Sequence, residues 1–192
     1  MAVNVPSLTT DDFSFGPGIL SLVAITSDVA STPEADLVDV GGVRSGASFS
    51  VSRTRLDVFQ GSPKSLQKTF VTEESAELTV NGIEWNLSQL SDALGAGVVT
   101  GTGGAGTTTT FKFGGSLNVT DVAAKFVHVM PSGDTISIRL WKAQGAGDLS
   151  VTFGDDLHEI PYTLKATESA TTWDSGTANG TSERLFSITI VR

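Results

Sequence analysis

Two adjacent segments of this chain are too long for the body that the rest of it can form. Residues 47–59 and 66–82 both read as β-strands, and Gly61-Ser62-Pro63 between them supplies turn residues. At about 3.3 Å per residue, the second strand would run about 56 Å unbroken. A compact domain of 192 residues has a radius of gyration of about 16 Å, hence a diameter of about 42 Å. The hairpin therefore either bends sharply or extends beyond the body as an arm.

Side-chain parity along it points to a change of environment. Phe49 and Val51 share one face of the first strand, whereas Leu56 and Val58 share the other, so the phase flips near Arg53–Arg55, as a bulge or a strand exit would make it do. On the return strand Phe70, Ala76, Leu78 and Val80 keep one parity, interrupted by Lys68 and Glu74. Leu56, Val58, Phe59 and Leu66 toward the tip would be wasted on a freely solvated arm, which predicts that the arm packs on another subunit.

Charge is segregated over the same region. Between residues 44 and 68 stand Arg44, Arg53, Arg55, Lys64 and Lys68 against Asp57 alone. Between residues 72 and 92 stand Glu73, Glu74, Glu77, Glu84 and Asp92 with no base, and the first 40 residues are likewise acidic only. Such charges fit ordinary solvated sheet faces, or a basic arm docking on the acidic body of a neighbour, which would fix register and partner more than affinity. Arg53, Arg55, Lys64 and Lys68 are the candidate contact residues, with Glu73, Glu74 and Glu77 as their candidate counter-charges.

Elsewhere the texture is β. Short Val-, Ile-, Phe- and Thr-rich segments separated by Gly, Ser and Thr clusters predict strands at 18–26, 37–40, 109–113, 125–130, 134–141, 149–153, 160–166 and 185–191. One helix is expected at 87–94, with Asn86 as its cap, Gln89 placed to reach back in a capping box and Gly95 in the left-handed closing position. Its Leu87, Leu90 and Leu94 share a face and predict a lid on an open sheet face. Residues 95–110, rich in Gly and Thr, and residues 169–182 read as loops, and neither divides residues 1–192 into two domains.

Composition removes several classes of function. There is no cysteine, which excludes disulfides, thiol nucleophiles and zinc ribbons. Twelve Lys and Arg against 21 Asp and Glu give a net charge of −9, the wrong sign for gripping nucleic acid. The longest apolar stretch, from Ile19 to Ile25, is broken by Ser21 and far short of the ~20 residues a membrane span needs. What precedes it has Asp11 and Asp12 but no base, unlike a signal peptide, so a reducing cytoplasm is the expected compartment.

Motifs for chemistry are weak. Gly101-Thr102-Gly103-Gly104-Ala105-Gly106 matches a dinucleotide fingerprint, but a β-prone run follows it where a helix is required, and no Lys follows for a P-loop. His128 has the parity of a core or subunit-contact residue, and His158-Glu159 lacks a second zinc-binding histidine. Asp155, Asp156 and Glu159 lack calcium-loop spacing. No serine sits in a nucleophile elbow. Trp85 and Trp141 read as core or interface fillers, and Trp173 as an exposed platform for a ligand. No catalytic residue, cofactor or metal is expected.

The order of these features resembles the tail tube proteins, or major tail proteins, of long-tailed bacteriophages. The resemblance rests on the 46–82 hairpin with its Gly-Ser-Pro turn and on the direct run of Ala76-Glu77-Leu78-Thr79-Val80 into the helix. It rests as well on the late strand Glu159-Ile160-Pro161-Tyr162-Thr163-Leu164-Lys165-Ala166. It covers roughly residues 17–168 and extends in architecture to contractile-tail and type VI secretion tubes. It implies a mainly β fold: an antiparallel sandwich or barrel-like core with one flanking helix and a long protruding hairpin. It also implies homohexameric rings stacked into a tube, with residues 53–68 at ring-to-ring contacts. The channel would pass DNA without binding it, since like charge keeps non-specific affinity low. Tape-measure and tail-tip or terminator proteins would be partners, and the tail of a virion assembled in a bacterial cytoplasm the location. The alternative expectation is a virion decoration or carbohydrate-binding β-sandwich module with Trp173 in its ligand loop.

Overall fold

The structure, a computed structural model, describes residues 18–25, 34–101, 106–170, 180 and 183–192. Trp173, most of the 169–182 loop, and Thr102 to Ala105 of the glycine motif lie outside the described residues. So do Thr26 and the acidic residues Asp11 and Asp12.

The fold is mainly β and antiparallel, with one helix. Its strands are β1 (Gly18–Ile25), β2 (Val38–Asp39), β3 (Val43–Gln60), β4 (Ser65–Gly82), β5 (Val98–Thr100), β6 (Thr110–Lys112), β7 (Asp121–Val129), β8 (Thr135–Gly145), β9 (Ile160–Ala166) and β10 (Phe186–Val191). Eight of them form one sheet in the order β2-β1-β7-β8-β9-β4-β3, with β10 added on β8. The sheet forks at β8: its first half pairs with β10 and its last three residues with β9, while β7 lines the opposite edge. It wraps around a core but does not close, because β2 and β3 at its two ends do not pair. The sandwich- or barrel-like core is therefore open along one side.

Alternation explains the core. Ala76, Leu78 and Val80 of β4 face Ile160, Tyr162 and Leu164 of β9, Leu20 and Leu22 of β1, and Leu140 of β8, and all are buried. Tyr162 lies so deep that burial pushes its hydroxyl up to about 12, and that oxygen has no hydrogen-bond partner among the described residues. On the other face Glu34 joins Lys125 and Arg139, the latter at 3.2 Å, which ties a short 3-10 turn to β7 and β8.

The helix α1 (Leu87–Leu94) lies on the core as expected. The Asn86 side chain accepts from the Gln89 amide, and Gly95 at φ 64 donates to the Asp92 carbonyl. The capping-box return bond is absent: the Gln89 side chain is buried with Oε1 unpartnered, and the Asn86 amide donates to the Glu84 carbonyl instead. The close approach of α1 to the sheet depends on Gly145, where a Cβ would collide with the Ala93 carbonyl.

Asp92 sits half-buried near the C-terminus of α1, and burial raises its carboxyl above the usual range. The folded state thus holds this proton more readily than the unfolded chain. The ionised form carries a penalty that develops as pH rises past the unfolded value and is complete above the folded one. Asp92→Asn is expected to add roughly 0.5–1 kcal/mol at neutral pH, the helix dipole contributing in the same direction. Urea titrations should show the gain disappearing by about pH 3.9 and below, the unfolded carboxylate value. A gain that persists undiminished in acid would contradict this assignment.

Two assignments change. Residues 149–153 form no strand. Part of the 95–110 loop is ordered as β5, which pairs with β6 in a two-stranded ribbon between Gly97 and Gly101, both at positive φ. Val98, Val99 and Thr100 are β-formers that the surrounding glycines hid.

Candidate functional site

The hairpin leaves the body. Every residue from 51 to 74 is exposed, 24 in succession, whereas β4 is buried on alternate positions from Ala76 onward. Residues 51 and 76 oppose one another, as do 52 and 75, so the body ends there and the ribbon continues to Gln60↔Ser65. Eight steps at about 3.3 Å make an arm of about 26 Å before the turn.

Its register accounts for the sequence pattern. From Ala47 to Gln60 β3 alternates without a slip, so the move of apolar residues from the Phe49 face to the Leu56 face marks the exit from the core. Two register shifts, at Thr54/Arg55 and Val58/Phe59, place the extra residues on β4, at Thr72 and Gln67. Phe70 consequently lies on the face opposite Ala76 and Leu78 despite its even number, because a single inserted residue inverts every side chain beyond it.

The arm is apolar on both faces. Leu56 opposes Phe70 beside Val58 on one; Phe59 opposes Leu66, with Val71 nearer the body, on the other. All six are roughly half exposed. The aliphatic and aromatic groups are interleaved with polar ties: Asp57 accepts from the Thr69 hydroxyl at 2.6 Å, and the Lys68 ammonium lies 4.7 Å from the Phe70 ring centre.

The charged candidates divide. Arg53 and Glu74 are brought together, at 2.8 Å across the hairpin of one chain. Glu77 opposes Lys165 of β9, so it too has a basic neighbour in its own sheet, and Glu73 opposes Thr54. Arg55 opposes Val71, Lys64 sits in the turn, and Lys68 opposes Val58; none of these three forms an ion pair among the described residues. Arg55, Lys64 and Lys68 against Asp57 give residues 55–70 a net +2, which leaves −11 on the rest of the chain. The distal arm and the body are thus of opposite sign.

Among the described residues the outer edge of β3, 18 residues long, is open, and so are that of β10 and that of the two-residue β2 at the other end of the sheet. Ile188 and Ile190 of β10 are half exposed, while Phe186 packs edge-on against Phe49 at 5.0 Å. Unpaired edges with exposed apolar residues are templates for pairing with another chain.

The remaining candidates resolve differently. His128 is buried, as its parity predicts. Asp156 and Glu159 are held by Arg44, at 3.1 and 3.9 Å, and that hydrogen bond lowers the Asp156 carboxyl. Among the described residues no cluster of His, Asp and Glu is placed to hold a metal. Trp141 donates to the Glu183 carbonyl, whereas Trp85 is half exposed and lies parallel to Phe153 at 6.2 Å, an aromatic surface that only tertiary contact assembles. No helix among the described residues is long and apolar enough to cross a membrane. No protein-family model matches the chain, and no curated protein matches it in sequence.

Proposed function

We propose that this chain is a structural subunit that assembles with copies of itself, the building block of a phage-type tail tube. Rings of six copies stack, the arm joins one ring to the next, and the channel passes DNA without holding it. Tape-measure and tail-tip or terminator proteins meet the ends of the tube, which belongs to a virion tail. The observation that carries this reading is the exposed run from 51 to 74, apolar on both faces.

Magnitudes indicate how such an assembly holds. Full burial of a large apolar side chain is worth about 1.5–3 kcal/mol, so six half-exposed ones retain about 5–9 kcal/mol for association. Losing rigid-body freedom costs about 4–15 kcal/mol. One arm contact alone is marginal, and stable association requires several acting together, as in a ring. The open edges of β3 and β10 supply the lateral contacts.

Reversal of Arg53 and Arg55 to Glu tests the reading. Arg53 is exposed and its pair with Glu74 stabilises the fold little, so thermal unfolding of the monomer should move by no more than a few degrees. Electron microscopy of the concentrated parent should show rings or tubes about 100 Å across, the scale of six domains of this size around a channel. The variant should show few or none. Equal tube yield from parent and variant would defeat the proposal, and uniform monomers stabilised by a glycan would favour a carbohydrate-binding module.

A further inference from the structure

We infer that the arm tip of one copy docks in an acidic groove at the opposite end of the hairpin of a second copy. This rests on the self-assembly reading and names the acceptor surface that it requires. The groove has a volume of about 530 Å³ and is lined by Ile19, Asp39, Val43, Glu84, Val127 and Val129 among others. Ile19 and Val129 are half exposed, and Ile19 opposes Val127 across β1 and β7, which makes a continuous apolar floor.

Two carboxylates border that floor. Asp39 accepts one bond, from the Gly41 amide at 3.0 Å, and neither Asp39 nor Glu84 forms an ion pair among the described residues. The arm tip offers the complement: Phe59 and Leu66, opposed and both exposed, beside Lys64 in the turn. Apolar surface meets apolar surface while an ammonium meets two carboxylates, an arrangement that selects orientation as well as partner.

Position makes the contact intermolecular. Val43, which lines the groove, opens β3 and opposes Gly82 at the end of β4, so the groove lies at the open end of the hairpin. The arm tip lies at the closed end, about 56 Å away along the strand. A copy cannot fill its own groove with its own arm. Donor and acceptor at opposite ends form a heterologous contact, which repeats head to tail instead of closing as a dimer. The rival occupant is residues 1–17, which join the groove at Gly18 but carry Asp11 and Asp12 and no base, the wrong sign for this rim.

The absence of cysteine allows a proximity test without background. Copies carrying Ser62→Cys are mixed with copies carrying Ile19→Cys and oxidised under assembling conditions. Disulfide-linked dimers are expected at roughly tenfold the yield obtained with Ser150→Cys, an exposed site elsewhere on the body, because docking raises the local concentration. Comparable yields at both sites, or tubes without an Ile19 crosslink, would overturn the groove and leave self-assembly standing. Parent protein that never forms rings or tubes would remove the assembly reading itself. An intrachain disulfide in monomeric Val3→Cys/Val129→Cys would assign the groove to residues 1–17 and overturn the inference.

Discussion

A chain in which Asn-Gly replaces residues 52–75 should fold, remain monomeric and form no tubes at any concentration that assembles the parent. Val51 and Ala76 are directly opposed, so a two-residue turn closes the shortened hairpin without disturbing the register below it. The deleted residues are exposed, apart from the partly buried Ser75, and contribute nothing to the buried cluster of Ala76, Leu78 and Val80 with β9 and β1. Loop closure also becomes cheaper in the shortened chain. Its midpoint of thermal unfolding should therefore match the parent's or exceed it, while sedimentation velocity shows a single small species. A deletion variant that still polymerised would place the whole of the association on the β3 and β10 edges. A variant that failed to fold would show the arm to be part of the folding unit, against its exposure.

The second large effect separates folding from assembly on one strand. Leu78 and Leu66 both belong to β4, but Leu78 is 0% exposed between Phe49 and Leu164 whereas Leu66 is 53% exposed at the arm tip. Leu78→Ala removes buried methyl groups and leaves a cavity, which should cost about 3–5 kcal/mol. At this chain length that lowers the unfolding midpoint by roughly 10 °C. Leu66→Ala should change monomer stability by less than about 0.5 kcal/mol yet reduce tube yield, since it removes half of the apolar pair at the tip. Calorimetry and microscopy on the same two proteins decide the matter. If Leu66→Ala destabilised the monomer as strongly as Leu78→Ala, the arm would have to be packed against its own body.

Much of this architecture was legible from residue order. The helix announced itself through Asn86, its leucine stripe and Gly95, all features of one short segment. The hairpin followed from strand length against domain size, and its exit from the core from the shift of apolar residues between Val51 and Leu56. Buried positions Ala76, Leu78 and Val80 of β4 followed from alternation, because side-chain direction in a strand is set by neighbouring residues alone. Less could be read where glycine masked a short strand, as at Val98–Thr100, and the β-prone residues 149–153 form no strand at all.

The candidate contact residues show the same division. Their segregation by sign was visible, but the pairing of Arg53 with Glu74 inside one chain was not, since register depends on where the bulges fall. The groove of Ile19, Asp39, Glu84 and Val129 had no signal at all, being drawn from four separated segments. Periodicity, capping and turn chemistry are local, acting over a few bonds, and so residue order alone decides them. Which edges stay open, which face a bulge inverts and which carboxylates border one surface depend on contacts between distant residues, and folding in three dimensions decides those.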